Sequence, residues 1–218
     1  MVLYGPATWR DTMKGRSKTK RKLFCAPMFA AETGFHDRFE FHWGYEDAMN
    51  AEQLRERQAP LKDRYRREPE TAIVRFRSSG ILDQARITCD VSTSRGLVQS
   101  GLHPAAGGQS ESSCSGDLLL DALVACAGVT LSAVATAMNI EIRSGKVTAE
   151  ADFDFRGTLG VDKEVPVGLA NVRLGFELET DAEDAQIEKL IKLAERYCVI
   201  YQTLQQSPQV VTAWTRKA

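Results

Sequence analysis

The chain has 218 residues, of which 43% are hydrophobic and 26% charged, the make-up of a globular protein with apolar residues enough for one good core. Its 28 basic and 29 acidic residues leave a formal charge of -1, so no global field draws nucleic acid or an anionic membrane, and either role would need a local patch. Five cysteines, an odd number with no CxxC pair and no short Cys/His spacing, indicate neither a disulfide framework nor a zinc site and suit a reducing, cytoplasmic compartment.

The one candidate patch is Arg10 to Lys22, where seven basic residues face a single acid, Asp11. The apolar run that follows, Leu23 to Ala31, is nine residues long and broken by Pro27, against the roughly 20 needed to span a bilayer. It resembles a secretory signal only superficially, since it is short and starts late. Residues 1–48 show no sustained periodicity and read as a disordered or non-native leader, with Met49 as the expected physiological start. Cys25 falls in this leader, and His36, His42 and His103 lack a second cluster of ligands.

From Asn50 to about Arg67 the sequence predicts a charged surface helix, because Asn50 and Gln53 stand at the spacing of a capping box and Pro69 ends the run. Residues 49–71 are therefore an N-terminal helical segment, and 72–218 the main domain. Ala72 to Ser78 and Ala85 to Val91 alternate polar and apolar and predict an antiparallel pair, with Leu97 to Gln99 a weaker third strand. A loop rich in Gly and Ser runs from Ser100 to Gly116. Asp117 to Met138 then carries so few polar residues that a central helix buried around nearly its whole circumference is expected. Lys146 to Phe155 and Val167 to Glu179 have the period of strands, Asp184 to Arg196 is an amphipathic helix, and Val210 to Trp214 predicts an edge strand. The fold class that follows is α+β, with antiparallel sheets around a long buried central helix. Neither a parallel βαβ order, a phosphate-binding Gly-rich loop nor an internal repeat is indicated.

Two cysteines carry the candidate chemistry. Cys126 lies three turns into the apolar helix, where a cysteine is usually a small core residue and where the helix N-terminus no longer lowers its pKa. A reactive thiolate there would need a nearby cation. Cys198 follows Ala194-Glu195-Arg196-Tyr197 and precedes a second helical stretch, a junction that is less core-like.

The run from Gly107-Gly108-Gln109 through Cys114-Ser115-Gly116-Asp117 to Leu123-Val124-Ala125-Cys126 resembles the OsmC/Ohr family, in which a Gly-rich loop leads into a helix bearing the first of two cysteines. Glu195-Arg196-Tyr197-Cys198-Val199 resembles that family's second cysteine segment. The resemblance spans 72–218. It implies an intertwined homodimer with active sites at the dimer interface, and reduction of organic hydroperoxides without a bound cofactor. Cys126 would be the peroxidatic thiol, passing through a sulfenic acid, and Cys198 the resolving thiol that closes a disulfide. A dithiol of lipoyl or thioredoxin type would reopen it. No nucleic acid or membrane partner is implied.

Several positions depart from the family pattern. Ser115 and Val199 stand where prolines are common, and Gly116 stands where one branch has a carboxylate. The adjacent Asp117 can replace that acid, although one residue turns a side chain by about 100° around a helix. Asp117 is equally placed to complement the helix dipole. Arg86 and Arg95 are both candidates for the thiolate-activating arginine, with Arg86 favoured because it begins a strand after a turn. Cys114 is an alternative resolving thiol. Set against the peroxidase are an OsmC-fold binding or stress-associated protein without fast peroxidase activity, which rests on Gly116 and on an activating arginine that the sequence does not align, and a role for the basic leader on nucleic acid or membrane.

Overall fold

The computed structural model describes residues 48–109 and 112–216. The expectations for the leader, including the basic stretch and Cys25, fall outside the described residues but for residue 48. Helix α1, Ala51–Arg67, begins as the sequence dictates: the Asn50 side chain accepts from the Gln53 N–H at 2.9 Å and the Gln53 side chain accepts from the Asn50 N–H at 3.0 Å. Both are N–H groups that a helix start leaves without an intrahelical partner. None of its residues is buried, in keeping with its charge.

A four-stranded sheet follows in the order β1–β2–β3–β4, built from Ser79–Asp83, Thr88–Thr93, Gly96–Gly101 and the two-residue Ser113–Cys114. Its first hairpin lies further along the chain than the alternation suggests. Residues 73–78 form no strand, and the turn falls at 84–87, with Ile87 at φ 54. The reason lies in partners: Val74 and Phe76 alternate with Arg75 and Arg77 but are 65% and 92% exposed, so among the described residues nothing covers them. β4 joins β3 in parallel, Gly101 opposite Cys114, a short contact that local periodicity does not reveal. Between them Gly108 lies so close to the Leu102 carbonyl that a Cβ there would overlap it.

The core is organised by α2, Ser115–Ala137. Leu123, Ala127, Leu131 and Ala135 are its buried residues, one stripe at i, i+4 spacing in which small alanines alternate with leucines. Burial of nearly the whole circumference is thus not observed in the single chain, where Val129 is 72% exposed. The stripe is covered by a two-stranded antiparallel sheet, β5 (Ser144–Phe153) and β6 (Leu169–Glu179), and by α4 (Asp184–Tyr197). Val147, Ala149, Leu174 and Phe176 face the core from the sheet. On the outer face Arg173 pairs across the strands with Glu150 and Asp152. One helical turn, α3 (Phe155–Thr158), interrupts the β5–β6 connection.

Two clusters share the stripe. Leu131, Ala135 and Ile140 pack with Leu190 and Ala194 of α4, and Leu123 and Ala127 pack with Cys198. At 23 residues α2 is long and apolar enough to cross a bilayer, a test that a core helix passes equally. The expected edge strand at Val210 to Trp214 is not formed, and Val210, Val211 and Trp214 are exposed.

Candidate active site

Cys198 is placed by a break in the helical run. Its φ of -73 and ψ of 111 are not helical, so it ends α4 and begins α5, Val199–Gln205. Its N–H still donates to the Ala194 carbonyl at 2.9 Å, and its carbonyl accepts from the Gln202 N–H at 3.0 Å. The Gln202 side chain bridges the break by donating to the Glu195 carbonyl at 2.9 Å. This geometry turns the Cys198 side chain into the core, where it is 1% exposed against Leu123 and Ala127. Cys126, half-buried on α2, packs against the same cluster together with Ile200 and Tyr201.

The break does something further. A new helix leaves its first N–H groups without intrahelical partners. Here the N–H groups of Ile200 and Val199 favour the thiolate form of Cys126, and those of Tyr201 and Ile200 that of Cys198. The Cys198 thiol and the Thr130 hydroxyl act on Cys126 in the same direction. Burial pushes the Cys126 thiol up, but these donors outweigh it and hold it below the ordinary thiol value. For Cys198 burial again pushes the thiol up, and the proton it shares with Cys126 reinforces this against the pull of the Tyr201 N–H. The two thiols are therefore unequal, with Cys126 the readier thiolate and Cys198 the proton donor.

The remaining candidate residues lie elsewhere. Asp117 is exposed in the first turn of α2, nine residues and about 13 Å along the axis from Cys126. It lines a cavity of about 280 Å³ with His103, Phe153, Phe155 and Cys114. Cys114, the residue that precedes α2, is about 18 Å along the axis from Cys126. Arg86 is in the turn between β1 and β2, where its guanidinium binds Asp83 at 2.6 Å, and Arg95 is exposed in the next turn. The Asp83 carboxylate is held below its usual range by that guanidinium. The groups acting most strongly on Cys126 include no cation; backbone N–H groups, a thiol and a hydroxyl take that part. Sequence reasoning did not find Thr130, Val199 or Ile200, although Thr130 follows Cys126 by one helical turn, a spacing that signals contact. Among the described residues no three His, Cys, Asp or Glu come together to hold a metal ion.

A family model described as OsmC-like protein matches residues 108–213, the span that contains α2, the β5–β6 sheet and both thiols. The domain at residues 108–213 belongs to the OsmC family. Its fold is that of solved OsmC-like structures. An OsmC-like protein from Mycoplasma pneumoniae has 18% identity and a TM-score of 0.51, over 62% of this chain and 89% of that one. An OsmC-like protein of unknown function from Vibrio cholerae has 11% identity and a TM-score of 0.50, over 60% and 94%. A weaker likeness, with 19% identity, a TM-score of 0.42 and coverage of 61% and 93%, is to the organic hydroperoxide resistance protein OhrB of Bacillus subtilis. No curated protein matches the chain in sequence.

The inequality of the two thiols in this OsmC-like chain has a measurable sign. At neutral pH Cys126 should alkylate faster than a free cysteine and slow as pH falls through its depressed pKa, because only the thiolate reacts. Cys198 should be modified only above the ordinary thiol range. Alkylation followed peptide by peptide against pH reads both; equal profiles for the two cysteines would contradict the assignment.

Proposed function

We propose that the protein is a thiol-dependent peroxidase that reduces organic hydroperoxides and works in the cytoplasm as a homodimer. The observation that carries this reading is the contact between Cys126 and Cys198, distant in sequence but packed in one cluster, with the Cys126 thiol held below its ordinary value and the Cys198 thiol above it. The Cys126 thiolate attacks the distal oxygen of the hydroperoxide, the O–O bond breaks, and the alkoxide leaves and takes a proton from water. Cys126 is then a sulfenic acid. Cys198 gives up its proton and attacks that sulfur, a disulfide forms, and the sulfenic hydroxyl departs as water. A dithiol reductant of lipoyl or thioredoxin type reopens the bond by two thiol–disulfide exchanges and is itself oxidised. The apolar neighbours Leu123, Val147 and Leu174 suit a lipid-like peroxide and limit further oxidation of the sulfenic acid.

The homodimer is supported by apolar surface that the single chain leaves open. Ile73, Phe76, Ile81 and Leu82 on one side and Val210, Val211 and Trp214 at the other end are all more than 70% exposed. Patches of that extent mark an interface. An intertwined partner would also bring Arg86 or Arg95 toward the Cys126 thiol.

The second reading is a binding or stress-associated protein on the same fold, and the placement of Arg86 on Asp83 and of Asp117 at the far end of α2 favours it. Turnover separates the two. The reduced protein with dihydrolipoamide should consume tert-butyl hydroperoxide many times over and run in solution as two chains; consumption no faster than that of a free thiol would favour the binding protein.

A further inference from the structure

We infer that Gln202 is a positioning residue for the thiol pair, its side-chain amide holding open the break at Cys198 that separates α4 from α5. The inference rests on the reading of Cys126 as the attacking thiolate and adds a residue to that site.

A sharp break in a helical run has a short list of causes: a proline, a glycine, or a side chain inserted into the ladder of backbone hydrogen bonds. Between Glu195 and Gln202 there is neither proline nor glycine, and Val199 has an N–H with which a helix can continue. In a continuous helix the Glu195 carbonyl would accept from the Val199 N–H, four residues on. It accepts instead from the Gln202 side-chain amide, seven residues on, at 2.9 Å and half-buried. The same residue closes the first turn of α5, since its backbone N–H donates to the Cys198 carbonyl at 3.0 Å. Gln202 thus ties the last turn of α4 to the first turn of α5 at two carbonyls, one of which the break would otherwise strip of its helical partner.

The break decides what surrounds the thiols. With Cys198 at φ -73 and ψ 111, α5 leaves the line of α4, and its Ile200 and Tyr201 pack on the cluster of Leu123, Ala127 and Cys198 that Cys126 also joins. The N–H groups of Val199, Ile200 and Tyr201 open α5 and have no carbonyl within that helix to bind. A continuous helix would tie them to the carbonyls of Glu195, Arg196 and Tyr197. Left without helical partners by the break, those of Val199 and Ile200 favour the Cys126 thiolate.

The test is a double-mutant cycle with Val199→Pro. A proline suits the break by itself: it takes the first position of α5, keeps its predecessor in the extended region that Cys198 already occupies, and has no N–H for the Glu195 carbonyl. Val199 is exposed, so the ring meets solvent. The readout is the pH profile of Cys126 alkylation in the reduced full chain, followed by mass spectrometry of its peptide. Gln202→Met, which keeps the length and removes the amide, should move the midpoint up by about one pH unit and slow alkylation at neutral pH about tenfold, as expected when hydrogen bonding to a charged group is lost. On top of Val199→Pro the same substitution should shift the midpoint by no more than about 0.3 unit, because the proline holds the break without the amide. A Gln202→Met profile equal to wild type overturns the inference, as does an equal shift in both backgrounds, which would make the effect one of packing at position 202. A Val199→Pro chain that does not fold also overturns it. Thermal unfolding checks each variant, with Gln202→Leu as the second amide-free choice. Should both fail to fold, recovery in the Val199→Pro background supports the inference and failure there overturns it. Because alkylation needs no peroxide, the two readings fail separately. The expected cycle in a protein that consumes no hydroperoxide would end the peroxidase while keeping Gln202; an unshifted profile in an active protein would remove Gln202 alone.

Discussion

Cys126→Ser should lose hydroperoxide consumption by on the order of a thousandfold or more, leaving at most the background of the other thiols. The donors that hold the Cys126 thiol below its ordinary value cannot do the same for a serine, whose hydroxyl starts from a far higher pKa, and oxygen cannot form the sulfenic acid on which the cycle turns. Cys198→Ser has a different phenotype. Cys126 keeps its Val199 and Ile200 N–H donors and its Thr130 hydroxyl, so the first attack proceeds, but no thiol stands ready to resolve the product. One thiol is then lost per peroxide instead of two, and excess peroxide drives Cys126 on to the sulfinic acid. Thiol counting with a sulfenic-acid trap reads both variants. Equal activity of Cys126→Ser and wild type would remove Cys126 from the chemistry.

Leu190→Ala should destabilise the protein by about 3 kcal/mol, within the range measured for large-to-small changes in a close-packed core. Leu190 is 0% exposed and is the residue through which α4 grips Leu131 and Ala135 of α2 and Ile140 beyond its end. Its neighbours from α2 and α4 include two alanines, which have no side-chain freedom to fill the gap, so most of the cavity should persist. The loss reaches the site as well, because Cys198 directly ends α4 and its position depends on how that helix is seated. Urea unfolding at fixed protein concentration measures the first effect; a change under about 1 kcal/mol would mean that α4 re-seats after truncation.

Local chemistry made much of this legible in the sequence. Asn50 and Gln53 announce the start of α1 because a capping box is a local arrangement, and the alternation in β5 and β6 is visible because one face of that sheet lies on α2 within the same chain. The junction at Cys198 is visible because the amphipathic stripe of α4 ends there. What the sequence hides depends on partners distant in the chain. Residues 73–78 and Val210 to Trp214 have the alternation of strands but nothing among the described residues to pair with, so periodicity alone places strands where none form. In the same way the all-round apolarity of α2 overstates its burial, since one stripe suffices for the contacts the chain itself supplies. At the site both cysteines are legible as candidates, but the donors that distinguish them are not. Backbone N–H groups at a helix break lower the Cys126 thiol, an influence that depends on the geometry of the break and not on any residue type.

The most direct test of the central claim is the product formed when the fully reduced protein meets one equivalent of an organic hydroperoxide, with disulfides mapped by peptide mass spectrometry. A single linkage between Cys126 and Cys198, formed within each chain and with loss of two thiols, is the expected result. Intact thiols at both positions, or linkages scattered among Cys89, Cys114 and the others, would contradict it.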